Sequence, residues 1–135
     1  MGIKTSIVAG VACLAVAVPV ALAANINGTP NSEPLFGTNA ADVINAGAGN
    51  DFVGGTGDDR AYGSDGHDTM WAGPGSDMLF GGPGHDVLIA RADDSMVDYL
   101  FCGRGWDVAF ARAEDIVDRS CERVVRETAP PAVAE

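Results

Sequence analysis

The sequence repeats itself every nine residues. Written in nines from Gly28 it reads GTPNSEPLF, GTNAADVIN, AGAGNDFV, GGTGDDRAY, GSDGHDTMW, AGPGSDMLF and GGPGHDVLI, with the third block one residue short. The sixth position is always acidic: Glu33, Asp42, Asp51, Asp59, Asp68, Asp77 and Asp86. The eighth is always apolar: Leu35, Ile44, Val53, Ala61, Met70, Leu79 and Leu88. A nine-residue block is too short to bury a face of its own, so such a chain builds a core only by stacking block on block. The short third block predicts a bulge or shift at the strand around Val53, and Ala61 predicts a thin place in the core.

The residue types in the register point to a hard cation. Glycines gather at the first, second and fourth positions: Gly47 and Gly49, then Gly54, Gly55 and Gly57, Gly63 and Gly66, Gly73 and Gly75, and Gly81, Gly82 and Gly84. Glycine admits positive φ, so carbonyl oxygens of such a loop can turn toward a common point. An aspartate two residues after the last glycine adds an anionic oxygen. Carbonyls with a carboxylate, and no sulfur or imidazole, suit Ca²⁺. The seventh to ninth residues then form a short strand with the eighth turned inward.

These blocks resemble the RTX, or haemolysin-type, calcium-binding nonapeptide GGxGxDxUx, in which U is a large apolar residue. The likeness runs from Gly28 to Ile89 and is best from Ala46 onward. It implies an all-β fold, a right-handed parallel β-roll with two nonapeptides to a coil and Ca²⁺ between loops two repeats apart. Carried onto this chain, Asp51, Asp68 and Asp86 fall on one ladder and Asp59 and Asp77 on the other. The implied loop pairs are Ala46–Asp51 with Gly63–Asp68, Gly63–Asp68 with Gly81–Asp86, and Gly54–Asp59 with Ala72–Asp77. That gives about three good calcium sites, and up to about five if the first two blocks contribute. Those blocks depart from the pattern. Glu33 is longer than aspartate and follows Asn31 instead of a fourth-position glycine; Asp42 has Thr38 and Ala40 where glycines belong. They read as an opening cap.

The two ends differ from the array. Lys4 followed by the apolar Ile7 to Leu22 and by Ala21-Leu22-Ala23 reads as a signal peptide, residues 1–23, cut after Ala23. The other reading is an uncleaved anchor near the minimum spanning length, which Pro19 and the alanine-rich end disfavour. Cleavage makes the protein secreted, with no stable membrane insertion. Cys13 leaves with the signal. Two cysteines then remain, Cys102 and Cys121, and an even count in an exported chain reads as one disulfide; a free or metal-binding pair is disfavoured by the lack of a C-x-x-C spacing. The array occupies 24–89, a closing segment 90–126 and a loose tail 127–135 with Pro130-Pro131. The closing segment holds Cys102-Gly103-Arg104-Gly105-Trp106-Asp107-Val108, one more loop with cysteine in place of the first glycine, and later Cys121-Glu122. It is similar to the C-terminal ends of exported repeat proteins of actinobacterial type, and that likeness implies that Cys102 pairs with Cys121 as a cap on the roll. Typical RTX proteins leave through a one-step system that reads a C-terminal signal; the N-terminal signal here argues for another route.

Composition excludes some functions and leaves others open. With 19 Asp plus Glu against 8 Lys plus Arg, the net charge of −11 is the wrong sign for nucleic acid. The chain lacks H-E-x-x-H and G-x-S-x-G, and only Asn25 to Pro34 precede the array, so it is not expected to be an enzyme. The seventh positions, Pro34, Val43, Phe52, Arg60, Thr69, Met78 and Val87, lack the regular threonines of an ice-binding face. His67 and His85 fall on adjacent rungs of one ladder, but two histidines are an incomplete set for a transition metal. Tyr62, Trp71 and Phe80 take successive ninth positions on the outer faces, Tyr62 and Phe80 on one sheet and Trp71 on the other. Exposed aromatics raise the alternative of an adhesin or matrix protein that binds glycan or protein. The expected function is therefore calcium binding by an exported domain that folds on binding Ca²⁺, with the partner, process and oligomeric state open.

Overall fold

A computed structural model describes residues 22–92 and 94–127. The expected signal peptide, apart from its last two residues, Cys13, and the tail beyond Glu127 lie outside these residues.

The chain is an all-β parallel solenoid of about six turns. Among the described residues twelve strands form: β1 (Asn25–Asn27), β2 (Pro34–Phe36), β3 (Val43–Asn45), β4 (Phe52–Gly54), β5 (Arg60–Tyr62), β6 (Thr69–Trp71), β7 (Met78–Gly84), β8 (Val87–Ala90), β9 (Tyr99–Gly105), β10 (Val108–Arg112), β11 (Ile116–Val117) and β12 (Arg123–Glu127). Odd strands form one six-stranded sheet, β1-β3-β5-β7-β9-β11, and even strands the other, β12-β10-β8-β6-β4-β2. Every pairing is parallel and joins each strand to the next but one in sequence, so one coil holds two strands.

The two-residue alternation of a strand explains the core. Eighth-position side chains point inward and stack from Leu35 and Val53 through Met70 to Leu88 on one side, and from Ile44 through Ala61 to Leu79 on the other, all buried. First-position residues two along also face in, which is why Ala46, Ala72 and Ala90 are small and buried. Each fully buried leucine or isoleucine contributes roughly 1.5–3 kcal/mol. One row of such residues per strand makes a narrow core, and Ala61 is its smallest eighth-position member.

Two irregularities move the register, and neither bulges a strand. The missing residue is taken from a loop. Phe52, Val53 and Gly54 pair residue for residue with Pro34–Phe36 on one side and Thr69–Trp71 on the other. Gly54 is thus the last residue of β4, not the first of a loop, and the shift expected at that strand does not occur; the loop from Gly55 to Asp59 is the short one. Beyond Ile89 three extra residues enter, so that Asp77 pairs with Asp98 and Asp86 with Asp107 across 21 positions, where the other aspartate rungs are 17 or 18 apart. The stack runs across this insertion: β9 and β10 continue both sheets directly from β7 and β8. Arg91, at its start, lies over the Phe110 ring at 4.6 Å and pairs with Glu127 at 3.1 Å.

A disulfide joins Cys102 to Cys121, the pairing that the likeness to exported repeat proteins implied, and both cysteines belong to the buried core. On the outer face of the odd-strand sheet, Tyr62, Phe80 and Phe101 form a continuous stack, with centroids 4.9 Å apart at each step and rings within 11° and 6° of parallel.

Candidate metal centres in two aspartate ladders

Each strand from β3 to β11 is preceded by an aspartate, so stacking strands stacks carboxylates. Among the described residues nine aspartates are buried: Asp42, Asp51, Asp59, Asp68, Asp77, Asp86, Asp98, Asp107 and Asp115. They fall into two columns. In one, the main-chain N–H of Asp51 donates to Oδ1 of Asp68 (2.9 Å), that of Asp68 to Asp86 (2.9 Å), and that of Asp86 to Asp107 (2.7 Å). In the other, Asp42 donates to Asp59 (2.9 Å), Asp59 to Asp77 (2.7 Å), Asp77 to Asp98 (2.9 Å) and Asp98 to Asp115 (3.1 Å). One oxygen of each carboxylate therefore fixes the rung before it.

The second oxygen distinguishes the loops. Oδ2 of Asp51, Asp59, Asp68, Asp77, Asp86 and Asp107 is buried with no hydrogen-bond partner. A buried carboxylate oxygen left bare is costly, and a native chain that repeats it six times calls for a ligand. Oδ2 lies on the side of the first glycine of its own loop; at Gly81 an added Cβ would come within 2.5 Å of Oδ2 of Asp86.

The first two blocks behave differently for a chemical reason. Thr38 stands at a glycine position, and its hydroxyl donates to the Asp42 carboxylate at 3.0 Å while its N–H donates to Oδ2. With Ala24 N–H on Oδ1 at 2.6 Å, Asp42 is placed in the ladder but already engaged. Glu33 accepts the Thr29 N–H within its own loop, and its strand β2 nonetheless stacks on β4. Asp115 is engaged as well, its Oδ2 taking the Arg112 N–H at 2.7 Å.

Backbone approach explains the fourth-position glycines. Gly66 has φ 139°, and a Cβ there would overlap the carbonyl oxygen of Gly49 on the rung below; Gly84 stands in the same relation to Gly66. Of the remaining predicted positions, Gly47, Gly49, Gly57, Gly73, Gly75 and Gly82 lie in the loops at positive φ, and Gly55, Gly63 and Gly81 open theirs. Ser64 takes a second position at φ 74°, a left-handed conformation that serine adopts at some cost.

Without a cation the ladders resist ionisation. Burial pushes Asp77 up to about 8, against the N–H it accepts from Asp59 and helped by the charges of Asp98 and Asp59. By the same causes, burial first, Asp86 is raised to about 7 and Asp59 and Asp98 to about 6, and Asp68 is raised as well. Desolvation and stacked like charges both penalise the ionised form. A divalent cation reverses both terms.

Among the described residues no three His, Cys, Asp or Glu side chains gather as a metal-binding group. A cation here would be held by carboxylates together with loop carbonyls, an all-oxygen set that suits Ca²⁺ and not Zn²⁺. His67 and His85 do stack, 4.9 Å apart and 11° from parallel, but for another purpose. Nδ1 of His67 accepts the N–H of His85, and Nδ1 of His85 that of Trp106, both at 2.8 Å. Asn50 and Ser32 continue this line of fifth-position acceptors.

Sequence reasoning did not place Asp98, Asp107 or Asp115 in the ladders. Their signal was present: Asp98-Tyr99-Leu100-Phe101, Asp107-Val108-Ala109-Phe110 and Asp115-Ile116-Val117 repeat the aspartate-x-apolar pattern once the count restarts after the insertion.

Comparison with known families agrees with this geometry. The family model described as RTX calcium-binding nonapeptide repeat (4 copies) matches residues 27–53 and 53–88. A comparison with curated proteins finds no match.

Proposed function

Given that the chain belongs, over residues 27–88, to the RTX calcium-binding nonapeptide repeat family, we propose that it is an exported structural module whose roll orders when its aspartate ladders take up Ca²⁺. The repeats of this family bind calcium and are structural, not catalytic. The observation that carries the reading is the set of six buried, unpartnered Oδ2 atoms. Asp51, Asp68, Asp86 and Asp107 in one column, and Asp59 and Asp77 in the other, would hold the ions together with carbonyls of the glycine loops. Ca²⁺ supplies the positive charge that lets these carboxylates stay ionised inside the protein.

Such a module would be unstable in a calcium-poor cytosol and would fold after export, since RTX repeats are typical of extracellular proteins. Extracellular calcium sites bind at about 10⁻⁴–10⁻³ M, and each site held at ten times its dissociation constant adds about 1.4 kcal/mol to the folded state. Circular dichroism in chelator and in millimolar calcium, followed by calorimetric titration, tests this. A β spectrum that appears or strengthens with calcium supports it; an unchanged spectrum and no binding heat would sink it.

A second reading, attachment to glycan or protein, is favoured by one surface feature. Phe36, Phe52 and Trp71 are all exposed around Gly54, which leaves a gap between Phe36 and Trp71 in the row of ninth-position side chains. Binding on a glycan array that Trp71→Ala abolishes with calcium affinity intact would support it. Binding that survives the change leaves the plain structural module.

A further inference from the structure

The last glycine loop lies beyond the matched repeats, yet it is built like the others. Gly103, Arg104 and Gly105 pair in parallel with Gly82, Pro83 and Gly84. Their backbones agree: φ is 105° at Gly103 against 107° at Gly82, and 147° at Gly105 against 156° at Gly84. Asp107 is fully buried, accepts the Asp86 N–H through Oδ1, and leaves Oδ2 without a partner.

What covers this loop is unlike anything on the inner rungs. The segment from Asp118 to Glu122 takes the place of a further repeat. Ser120 Oγ accepts the N–H groups of Cys102 and Gly103, each at 3.1 Å, and Glu122 Oε2 accepts that of Asp107 at 2.8 Å. Cys121 closes the contact covalently through Cys102, which stands at the first position of the loop. An inner loop is flanked on both sides by another glycine loop of the array, as Gly66 is by Gly49 and Gly84. This one is held on its outer side by those three hydrogen bonds, a fourth from the Arg123 N–H to the Asp107 carbonyl at 3.1 Å, and one disulfide.

We propose that the loops Gly81–Asp86 and Cys102–Asp107 form a Ca²⁺ site locked by the Cys102–Cys121 disulfide, so that calcium binding there and resistance of the disulfide to reduction are coupled. The proposal rests on the calcium reading above and adds a redox dependence to one site. Reduction by a dithiol breaks the S–S bond, leaves the thiols of Cys102 and Cys121, and oxidises the reductant to its own cyclic disulfide. The covering segment, a loop between β11 and β12, then loses its covalent tie to the 102–107 loop, and that loop loses part of the fixed backbone on which a calcium site depends. Thermodynamic reciprocity requires the converse: calcium bound to that loop protects the bond.

The test uses the full chain. Calcium is titrated calorimetrically into the wild type, Asp107→Asn, Asp59→Asn in the opposite column, and a Cys102→Ala/Cys121→Ala double variant, alanine being the residue at the same position in Ala46 and Ala72. Asp107→Asn should bind fewer ions than the wild type, and the double variant should keep the site with affinity reduced by about tenfold or more. Once the roll is folded, raising calcium further to saturation should slow reduction of the wild-type disulfide by a dithiol, and of Asp59→Asn, but not of Asp107→Asn. Equal stoichiometry for wild type and Asp107→Asn, or reduction at one rate with and without calcium, overturns the proposal. If Asp107→Asn does not fold, oxidised and reduced wild type are compared: identical isotherms overturn the coupling, and loss of one affinity class supports it. A wild type that binds no calcium would defeat the broader reading instead.

Discussion

The main-chain N–H of Asp59 donates to Oδ1 of Asp77 at 2.7 Å, while Oδ2 of Asp77 is buried without a partner. The two oxygens of one carboxylate thus divide their work. One fixes the adjoining rung, and the other is the oxygen that the proposed calcium site would use.

Asparagine at this position separates the two roles, because its amide oxygen can still accept the Asp59 N–H while its charge is gone. Asp77→Asn should therefore be at least as stable as the wild type in chelator at neutral pH. In calcium it should lose about 1.4 kcal/mol for each site removed, when free calcium is ten times the dissociation constant. Denaturant melts in the two conditions measure both numbers. A variant that keeps the full gain from calcium would show that Oδ2 of Asp77 binds nothing.

The raised carboxylates also fix the sign of the pH dependence. Asp59 and Asp98 are held at about 6, Asp86 at about 7 and Asp77 at about 8, against an ordinary value of 3.8. Between 3.8 and these values the cation-free folded state keeps protons that the unfolded chain has released. Its stability is therefore greatest below 3.8 as far as these groups are concerned, falls as pH rises through 6 and 7, and levels off above about 8. Saturating calcium should abolish or reverse that fall, since the cation binds the ionised form. Chemical denaturation at about pH 5 and about pH 8, with and without chelator, checks the slope. Stability in chelator that rises over this interval would contradict it.

Much of this ladder could be read from the sequence, and the reasons for the rest are specific. The likeness to the RTX repeat, with two nonapeptides to a coil, implied one column of Asp51, Asp68 and Asp86, and hydrogen bonds join those rungs. Asp98 and Asp115 were hidden by the three-residue insertion after Ile89, which broke the count without breaking the sheets; the Asp107 loop was legible as a loop, but not its place next to Asp86 in the column. Gly54 was placed in a loop because a deletion within Val53-Gly54-Gly55-Thr56-Gly57 has no unique position in sequence; strand pairing settles it. The division of labour between Oδ1 and Oδ2 depends on a neighbour 17 to 21 residues away, which no local pattern expresses. The same holds for His67 and His85, whose ring nitrogens serve the next rung's backbone.

Glycines of this roll differ sharply in what they permit. Gly66→Ala would put a methyl group onto the Gly49 carbonyl at a φ of 139°, and should cost well over about 1 kcal/mol while disturbing calcium binding in the column of Asp51 and Asp68. Gly54→Ala meets nothing nearer than the Phe36 ring and the Trp71 Cβ at 3.8 Å, and should be neutral or mildly stabilising. Thermal melts of the pair in calcium test the contrast. Equal effects would mean that the close approach of rungs at Gly66 is not a feature of the folded protein.

The outer aromatic stack is expected to support the roll without touching the ions. Phe80 lies between Tyr62 and Phe101, its ring 4.9 Å from each, on the face opposite the eighth-position core. Removing it breaks two stacked pairs, each worth about 0.5–1.5 kcal/mol beyond the area it buries, so Phe80→Ala should cost roughly 2–3 kcal/mol. Phe80→Leu restores apolar bulk but not the stacking and should recover part of the loss. Both variants should bind calcium with wild-type stoichiometry, because Phe80 points away from the ladders. If either loses an ion in calorimetric titration, the sheet and the loops are coupled more tightly than a stack of independent rungs allows, and the division between an aromatic scaffold and a carboxylate interior fails.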